Sequence, residues 1–314
     1  MTAAGRLLRV GTRGSRLALW QAHAVSDLLQ ARGTRCEIVV IKTTGDRSQT
    51  GRVPGDDTKR QFVKEIEDAL ANGDIDLAVH SAKDMTIDLP EGLTIAACLP
   101  REDPRDCIVL RAVEGDVPWP DVAARFERGG SIATASVRRT AQLRRLLANV
   151  TFGAIRGNVD TRLHKLDTGP FDALVLACAG LRRLGFEHRI STPLAVERCV
   201  PAPGQGIVAV EARASDKEVR TALASIHDAR AAAALTAERV VVAELDGGCK
   251  LPLGAIAIQD GDALAMHGIV AAADGSRVVA ETVRGPAADP GALGTQLAAA
   301  LTRGGARELL DEVR

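Results

Sequence analysis

Tyrosine is absent from this 314-residue chain, and aromatic residues make up only 2% of it. Base stacking on aromatic platforms has almost nothing to work with, which argues against a single-strand nucleic-acid binder. Excess charge is also missing: 40 basic residues balance 40 acidic ones. A nucleic-acid protein normally carries a basic surplus or stripe. No apolar run reaches the ~18 residues that a membrane span needs. The opening MTAAGRLLRVGTRGS has no apolar signal core, so a cytoplasmic protein with no membrane partner is expected. Cysteines stand at 36, 98, 107, 178, 199 and 249, with no C-x-x-C pair and no neighbouring His. That spacing excludes a zinc knuckle, and no metal is expected. Cys36, Cys98, Cys107 and Cys178 read as small buried hydrophobes, and Cys199 is less clear. Cys249 differs, because it lies in the glycine turn DGGCKLPLG, where packing gives no reason for a thiol.

Arginine is what the chain has in quantity, supplying most of the basic residues. It recurs where an apolar strand gives way to a polar turn and a helix. Arg13 follows LLRVGT, Arg138 and Arg139 follow SIATAS, and Arg156 follows TFGAI. A planar guanidinium grips a carboxylate or phosphate through two parallel hydrogen bonds. A helix start adds free N–H groups and the positive end of a dipole. Several such places point to a small ligand carrying many negative charges.

The first hundred residues alternate strand and helix patterns. Strands are expected at 7–12, 36–42, 76–81 and 93–99. Helices are expected at 16–32, capped by Ser15 and ended by Gly33, and at 59–72. Residues 43–58 are polar, Gly-rich and aperiodic, and read as a long loop, either a lid or a disordered segment. PREDPRD (100–106) and VPAPGQG (200–206) read as crossovers, with a second β/α unit between them. GQGIVA matches a dinucleotide-type glycine pattern but leads into a strand, so it is discounted. From about 229 an Ala-rich helix gives way to strands with turns at Asp260-Gly261 and Asp274-Gly275, which suggest antiparallel hairpins. The expectation is an α/β chain in three parts. Residues 1–102 with 206–226 form one lobe with a mostly parallel sheet, 103–205 form a second, and 227–314 form a small α+β domain. Ligands of such sheets bind beyond the carboxyl ends of the strands, so a cleft between the first two lobes is the expected site.

Ser81, Lys83 and Asp84 follow the apolar strand DLAVHS. Asp84 could transfer protons with Lys83 and Arg groups around it, or the pair could be a surface ion pair in a turn. His80 reads as structural. In ATASVRRTAQLRR, Thr134 and Ser136 are candidate caps, and Arg138 and Arg139 fall in the first helical turn. A cation there opposes the helix dipole and costs stability unless an anion is present. RGNVDTRL offers Arg156 and Arg162, with Asn158 as a cap, and LRRLG offers Arg183. Arg144 and Arg145 read as solvated.

Taken together, LRVGTRGSRLALWQAH, FVKEIE, DLAVHSAKD, REDPRD, SVRR, IRGNVDTRLHKL, AGLRRLG, PAPGQGIVAVE and LDGGCKLPLG resemble one family. It is porphobilinogen deaminase, or hydroxymethylbilane synthase, of tetrapyrrole biosynthesis. The resemblance implies two lobes like periplasmic solute-binding proteins and a third domain. It implies a covalent dipyrromethane cofactor on Cys249, and a transferase that adds four porphobilinogen units head to tail. Each addition expels ammonia, and hydrolysis releases 1-hydroxymethylbilane for the next enzyme of the route. By resemblance Asp84 is the catalytic acid and base. Cys249, Lys83, Asp84, Ser136, Arg138, Arg139, Arg162, Arg183 and Gln205 meet the cofactor. Arg13, Ser15, Ser81, Arg156 and Arg162 meet the substrate. The family is usually monomeric. Thr58-Lys59-Arg60 replaces the usual Gly-Lys-Gly, and Met85-Thr86 follows HSAKD where a Pro is usual. Ala133-Thr134-Ala135-Ser136 replaces Gly-Thr-Ser-Ser. A two-lobed receptor for an acidic solute is the alternative, though a receptor has no use for Cys249 or a third domain.

Overall fold

The computed structural model describes residues 6–42, 58–245 and 251–312. In chain order the first elements are β1 (Leu8–Thr12), α1 (Arg16–Gln30), β2 (Cys36–Val40), α2 (Thr58–Ala71), β3 (Leu77–Ser81) and β4 (Leu93–Cys98). A second run holds β5 (Asp106–Leu110), α3 (Trp119–Arg125), β6 (Gly130–Ala133), α4 (Val137–Arg144) and β7 (Val150–Gly153). It continues with α5 (Val159–Thr168), β8 (Ala173–Ala177), α6 (Cys178–Arg183) and β9 (Thr192–Pro193). The rest comprises β10 (Val208–Arg213), α7 (Lys217–Ala224), α8 (Ala229–Glu244), β11 (Leu253–Asp260), β12 (Ala263–Ala271), β13 (Val278–Pro286), α9 (Pro290–Arg303) and α10 (Ala306–Asp311). The expected 43–58 loop and the Cys249 turn fall outside the described residues, except Thr58, which opens α2.

These elements form two compact units, 1–101 with 207–232 and 102–206 with 233–314. In the first, the strand order is β2-β1-β3-β10-β4. β1 pairs in parallel with β2 and β3, whereas β10 is antiparallel to both of its neighbours. Four strands therefore run one way and β10 runs back between them. The sheet is covered on both faces, which explains the nearly continuous apolar strands. Leu8, Val10, Leu77 and Val79 pack with Ala22, Val25 and Leu29 of α1 and with Val219 and Leu223 of α7. Ala78 packs with Ile66 and Leu70 of α2 on the other side. Each fully buried Leu or Val contributes about 1.5–3 kcal/mol relative to exposure.

At the amino end of this sheet, Asp76 is almost fully buried and ties β1 to β3. It accepts from the Arg9 backbone N at 2.9 Å, from Arg9 Nε at 3.0 Å, and from Arg6 and Arg213. Burial alone would raise its pKa. The Arg9 hydrogen bonds and the Arg6 and Arg9 charges outweigh that and bring it down to about 2.

The second unit repeats the plan, with order β7-β6-β8-β5-β9. β6 pairs in parallel with β7 and β8, and β5 runs antiparallel to β8 and β9. Val122 and Phe126 of the α3 region and Leu143 of α4 cover one face. Leu163 and Leu166 of α5 and Leu181 of α6 cover the other. The same unit holds the antiparallel sheet β11-β12-β13, turned at the two Asp-Gly positions as expected. Glu238 of α8 is fully buried. Its carboxylate accepts from Gly204 N at 2.6 Å and Ala257 N at 2.7 Å, binding the 200–206 linker to β11.

Cys98, Cys107, Cys178 and Cys199 are buried and Cys36 is half-buried. Cys178 is the first residue of α6. His80 is buried as expected, with Nε2 lying 2.9 Å from the fully buried Glu211 carboxylate of β10. Their contact is off the line of a good hydrogen bond. Among the described residues, no helix is long and apolar enough to cross a membrane.

Candidate active site

In the first unit, β1 and β3 are parallel neighbours, so their carboxyl ends share one edge. Arg13 and Ser15 follow β1 there, Ser81 ends β3, and Lys83 and Asp84 follow it. Ser15 is the N-cap of α1, its side chain accepting from Ala18 N at 3.3 Å. Ser81 closes β3, and its hydroxyl is held by Gln21 Nε2 at 2.9 Å. Gln21 is a buried polar residue on the apolar stripe of α1, and sequence reasoning missed it. A Gln at a core-facing helical position was the available signal. Ala82–Asp84 form a short 3₁₀ turn, closed by Met85 N donating to Ala82 O at 3.2 Å. Lys83, Asp84 and Arg13 are half-buried.

In the second unit, the carboxyl ends of β6, β7 and β8 likewise share an edge. After β6, Thr134 Oγ1 accepts from Ser136 N at 3.2 Å, and the Ser136 side chain caps α4 by accepting from Arg139 N at 3.4 Å. Both expected caps therefore serve the turn that delivers Arg138 and Arg139. After β7 come exposed Arg156 and half-buried Arg162, whose Nε donates to Gly157 O at 2.7 Å. Asn158 sits at the N-cap position of α5 but makes no side-chain cap hydrogen bond. Gly157 has φ +118°, and a Cβ there would lie 2.8 Å from Thr161, so this turn requires glycine. After β8, Arg183 donates through Nη2 to Gly206 O at 2.6 Å. Burial draws its pKa down to about 10, only partly offset by Glu102. A cation in that condition is stabilised by an arriving carboxylate.

Arg138 and Arg139 are not displayed on the surface of α4 but turned inward, 5% and 7% exposed. The anion that their helix position demands is the protein's own Asp106, which is fully buried. Because β5 runs backwards, its first residue lies at the carboxyl edge, in register with Ala177 at the end of β8. Asp106 Oδ1 accepts from Arg139 Nε at 2.9 Å, Arg139 Nη2 at 2.7 Å and Gln205 Nε2 at 2.9 Å. Oδ2 accepts from Arg138 Nη1 at 2.7 Å. Burial alone would raise the Asp106 pKa, but the two guanidinium charges hold it well below the usual carboxylate range. Gln205, expected to meet the cofactor, also donates to Pro104 O at 2.7 Å, so both Nε2 hydrogens serve the protein. The Cys199 thiol donates to Asp106 Oδ2 at 3.5 Å. Burial and then the Asp106 charge push its pKa up to about 12, so it stays protonated.

Arg144, expected to be solvated, is exposed, with its guanidinium carbon 6.0 Å from the Phe152 ring centroid. Cys249 lies outside the described residues.

Residues 8–221 match the family model described as porphobilinogen deaminase, dipyromethane cofactor binding domain, and residues 232–303 match porphobilinogen deaminase, C-terminal domain. A porphobilinogen deaminase of Roseiflexus castenholzii is 45% identical over 305 residues, covering 96% of this chain and 98% of that one. Those of Syntrophobacter fumaroxidans and Geobacter metallireducens are each 41% identical, covering 98% and 99% of this chain and 98% and 96% of theirs. Among solved structures, the methionine-binding protein MetQ is similar at 12% identity and a TM-score of 0.42, covering 70% of this chain and 89% of that one. With two successive domain models and full-length relatives in agreement, the chain belongs to the porphobilinogen deaminase family.

Proposed function

We propose that the chain joins four porphobilinogen molecules head to tail on a dipyrromethane primer, releasing ammonia at each step and finally 1-hydroxymethylbilane. Family membership over nearly the whole chain carries this reading. Porphobilinogen bears acetate and propionate side chains, so the growing oligomer accumulates carboxylates. The residues at the carboxyl edges fit such a group. The half-buried Arg183 cation has its pKa drawn down by burial, and among the described residues Arg138 and Arg139 share one carboxylate, that of Asp106. The dipyrromethane supplies the pyrrole carbon that takes the first substrate.

The chain's own residues do the rest. Cys249 provides the thioether anchor, and the three expected parts (1–102 with 206–226, 103–205, 227–314) carry the two sets of site residues and that anchor. Lys83, Ser136, Arg138, Arg162 and Arg183 hold cofactor carboxylates, with Arg139 and Gln205 behind Arg138. Arg13, Ser15, Ser81, Arg156 and Arg162 hold the incoming substrate. Asp84 donates a proton to the leaving amine as the carbon–nitrogen bond breaks, and its carboxylate then faces the cation left behind. It also helps remove the proton displaced when the new carbon–carbon bond forms. The protein works as a monomer in the cytoplasm and hands the linear product to the next enzyme.

Intact mass tests the anchor. Wild-type protein from a tetrapyrrole-making host is expected to weigh more than its sequence by one dipyrromethane, and Cys249→Ala is expected to be folded, unmodified and inactive. An active Cys249→Ala protein overturns the assignment. Unmodified wild-type protein that does not consume porphobilinogen would favour the receptor for an acidic solute.

A further inference from the structure

Two guanidiniums meet one carboxylate at the start of α4. Counting Arg138, Arg139 and Asp106 gives one positive charge left over in a buried cluster. Such a surplus is costly away from water, and a second anion relieves it.

The hydrogen bonds show where that anion can be received. Arg138 spends Nη1 on Asp106 Oδ2 at 2.7 Å and on the Val200 carbonyl. Val200 is itself fixed, its N donating to Gln142 Oε1 at 2.7 Å while Gln142 Nε2 donates to its carbonyl at 3.1 Å. Among the described residues, no protein acceptor faces Arg138 Nε or Nη2. Those two atoms form the side-on edge of the guanidinium, the edge that takes a carboxylate through two parallel bonds. Arg139 is arranged the other way. Its Nε and Nη2 are both on Asp106 Oδ1, and its Nη1 donates to Val175 O at 3.0 Å.

We infer that Asp106 is a positioning residue for the cofactor. By gripping the Nη1 end of Arg138, it leaves the Nε/Nη2 edge unspent as a preset fork for one cofactor carboxylate. Arg139 and Gln205 hold Asp106 in place for that task. An arginine has long rotamer freedom, and fixing it beforehand removes an ordering cost from binding. The inference rests on the proposed role of Arg138 toward dipyrromethane.

The test uses full-length protein made in a tetrapyrrole-competent host. The fraction carrying the dipyrromethane mass is read by intact mass, and Tm is read on the same preparations. Asp106→Asn keeps the shape and removes the charge. Its structural cost is isolated by comparing Cys249→Ala with Cys249→Ala/Asp106→Asn, neither of which carries cofactor. The expected result is a cooperative melt together with a holo fraction at least tenfold below wild type at temperatures well under its Tm. A merely structural Asp106 would lower Tm and leave folded protein fully loaded, and that result overturns the inference. If Asp106→Asn gives no cooperative melt, Asp106→Glu replaces it, keeping the charge but displacing the carboxylate by one methylene. Full loading of Asp106→Glu at a wild-type Tm overturns positioning equally. Arg138→Lys separates the two layers, since it keeps the charge and loses the fork. Wild-type loading there removes Arg138 from the cofactor site altogether, whereas loss there with normal loading of Asp106→Asn overturns only the role of Asp106.

Discussion

Replacing Glu238 by Gln perturbs one point on which two segments depend. The carboxylate is fully buried and accepts two backbone hydrogen bonds, from Gly204 at 2.6 Å and Ala257 at 2.7 Å. Gln has nearly the same volume, so no cavity forms and the loss is electrostatic. Its oxygen can serve one N–H, now as a neutral acceptor, while its NH2 is forced against the other. A hydrogen bond to a charged group contributes about 1.5–3 kcal/mol, and a buried donor left without an acceptor costs about 1–3 kcal/mol. Allowing for the bond that survives in weakened form, a loss of about 3 kcal/mol is expected. At roughly 2–4 °C per kcal/mol for a domain of this size, Tm falls by about 6–12 °C. Thermal unfolding followed by far-UV circular dichroism at neutral pH measures it. A fall of under about 2 °C would refute the reasoning, because it would mean that the two amides find other acceptors without cost.

Asp84→Asn is expected to keep the dipyrromethane mass and lose about 10²–10⁴-fold in turnover, the usual worth of a general acid–base group. Wild-type turnover in a porphobilinogen-consumption assay would return Asp84 to a structural role. Asp76 gives a pH prediction. Its folded pKa of about 2 lies below the ~3.9 of an unfolded Asp, so its contribution is complete above about pH 4 and is lost as pH falls through 2. Urea midpoints between pH 4 and pH 2 should fall more steeply for wild type than for Asp76→Asn. Equal slopes would rule out Asp76 as a source of acid lability.

Local features were legible in the sequence and long-range pairings were not. Ser15, Ser136 and the Asp-Gly turns act through neighbours within a few residues, and the chain order of residue types announces them. The arginines after strand ends were also readable, because an α/β alternation places such ends on one edge. The sequence did not disclose what Arg138 and Arg139 face. That depends on β5 lying reversed beside β8, which brings Asp106 to them from more than thirty residues away. An Asp opening the apolar run CIVL hinted at a buried ion pair, but hydrophobic periodicity does not encode strand order. Glu238 was hidden for the same reason. In an Ala-rich helix it looks like a solvated charge until the linker and β11 are seen to close over it.

The reversed strands have a consequence for how the chain can assemble during synthesis. The second unit's five-stranded sheet uses only residues 106–193, a continuous stretch, so every strand is available once that stretch has left the ribosome. The first unit's sheet is interrupted until residue 213 emerges, because β10 belongs between β3 and β4. The segment synthesised first is thus the one that must wait, with two unpaired sheet edges, for a strand made more than a hundred residues later. A released fragment ending near residue 205 would protect the amides of β5 and β8 from exchange while leaving those of β4 open.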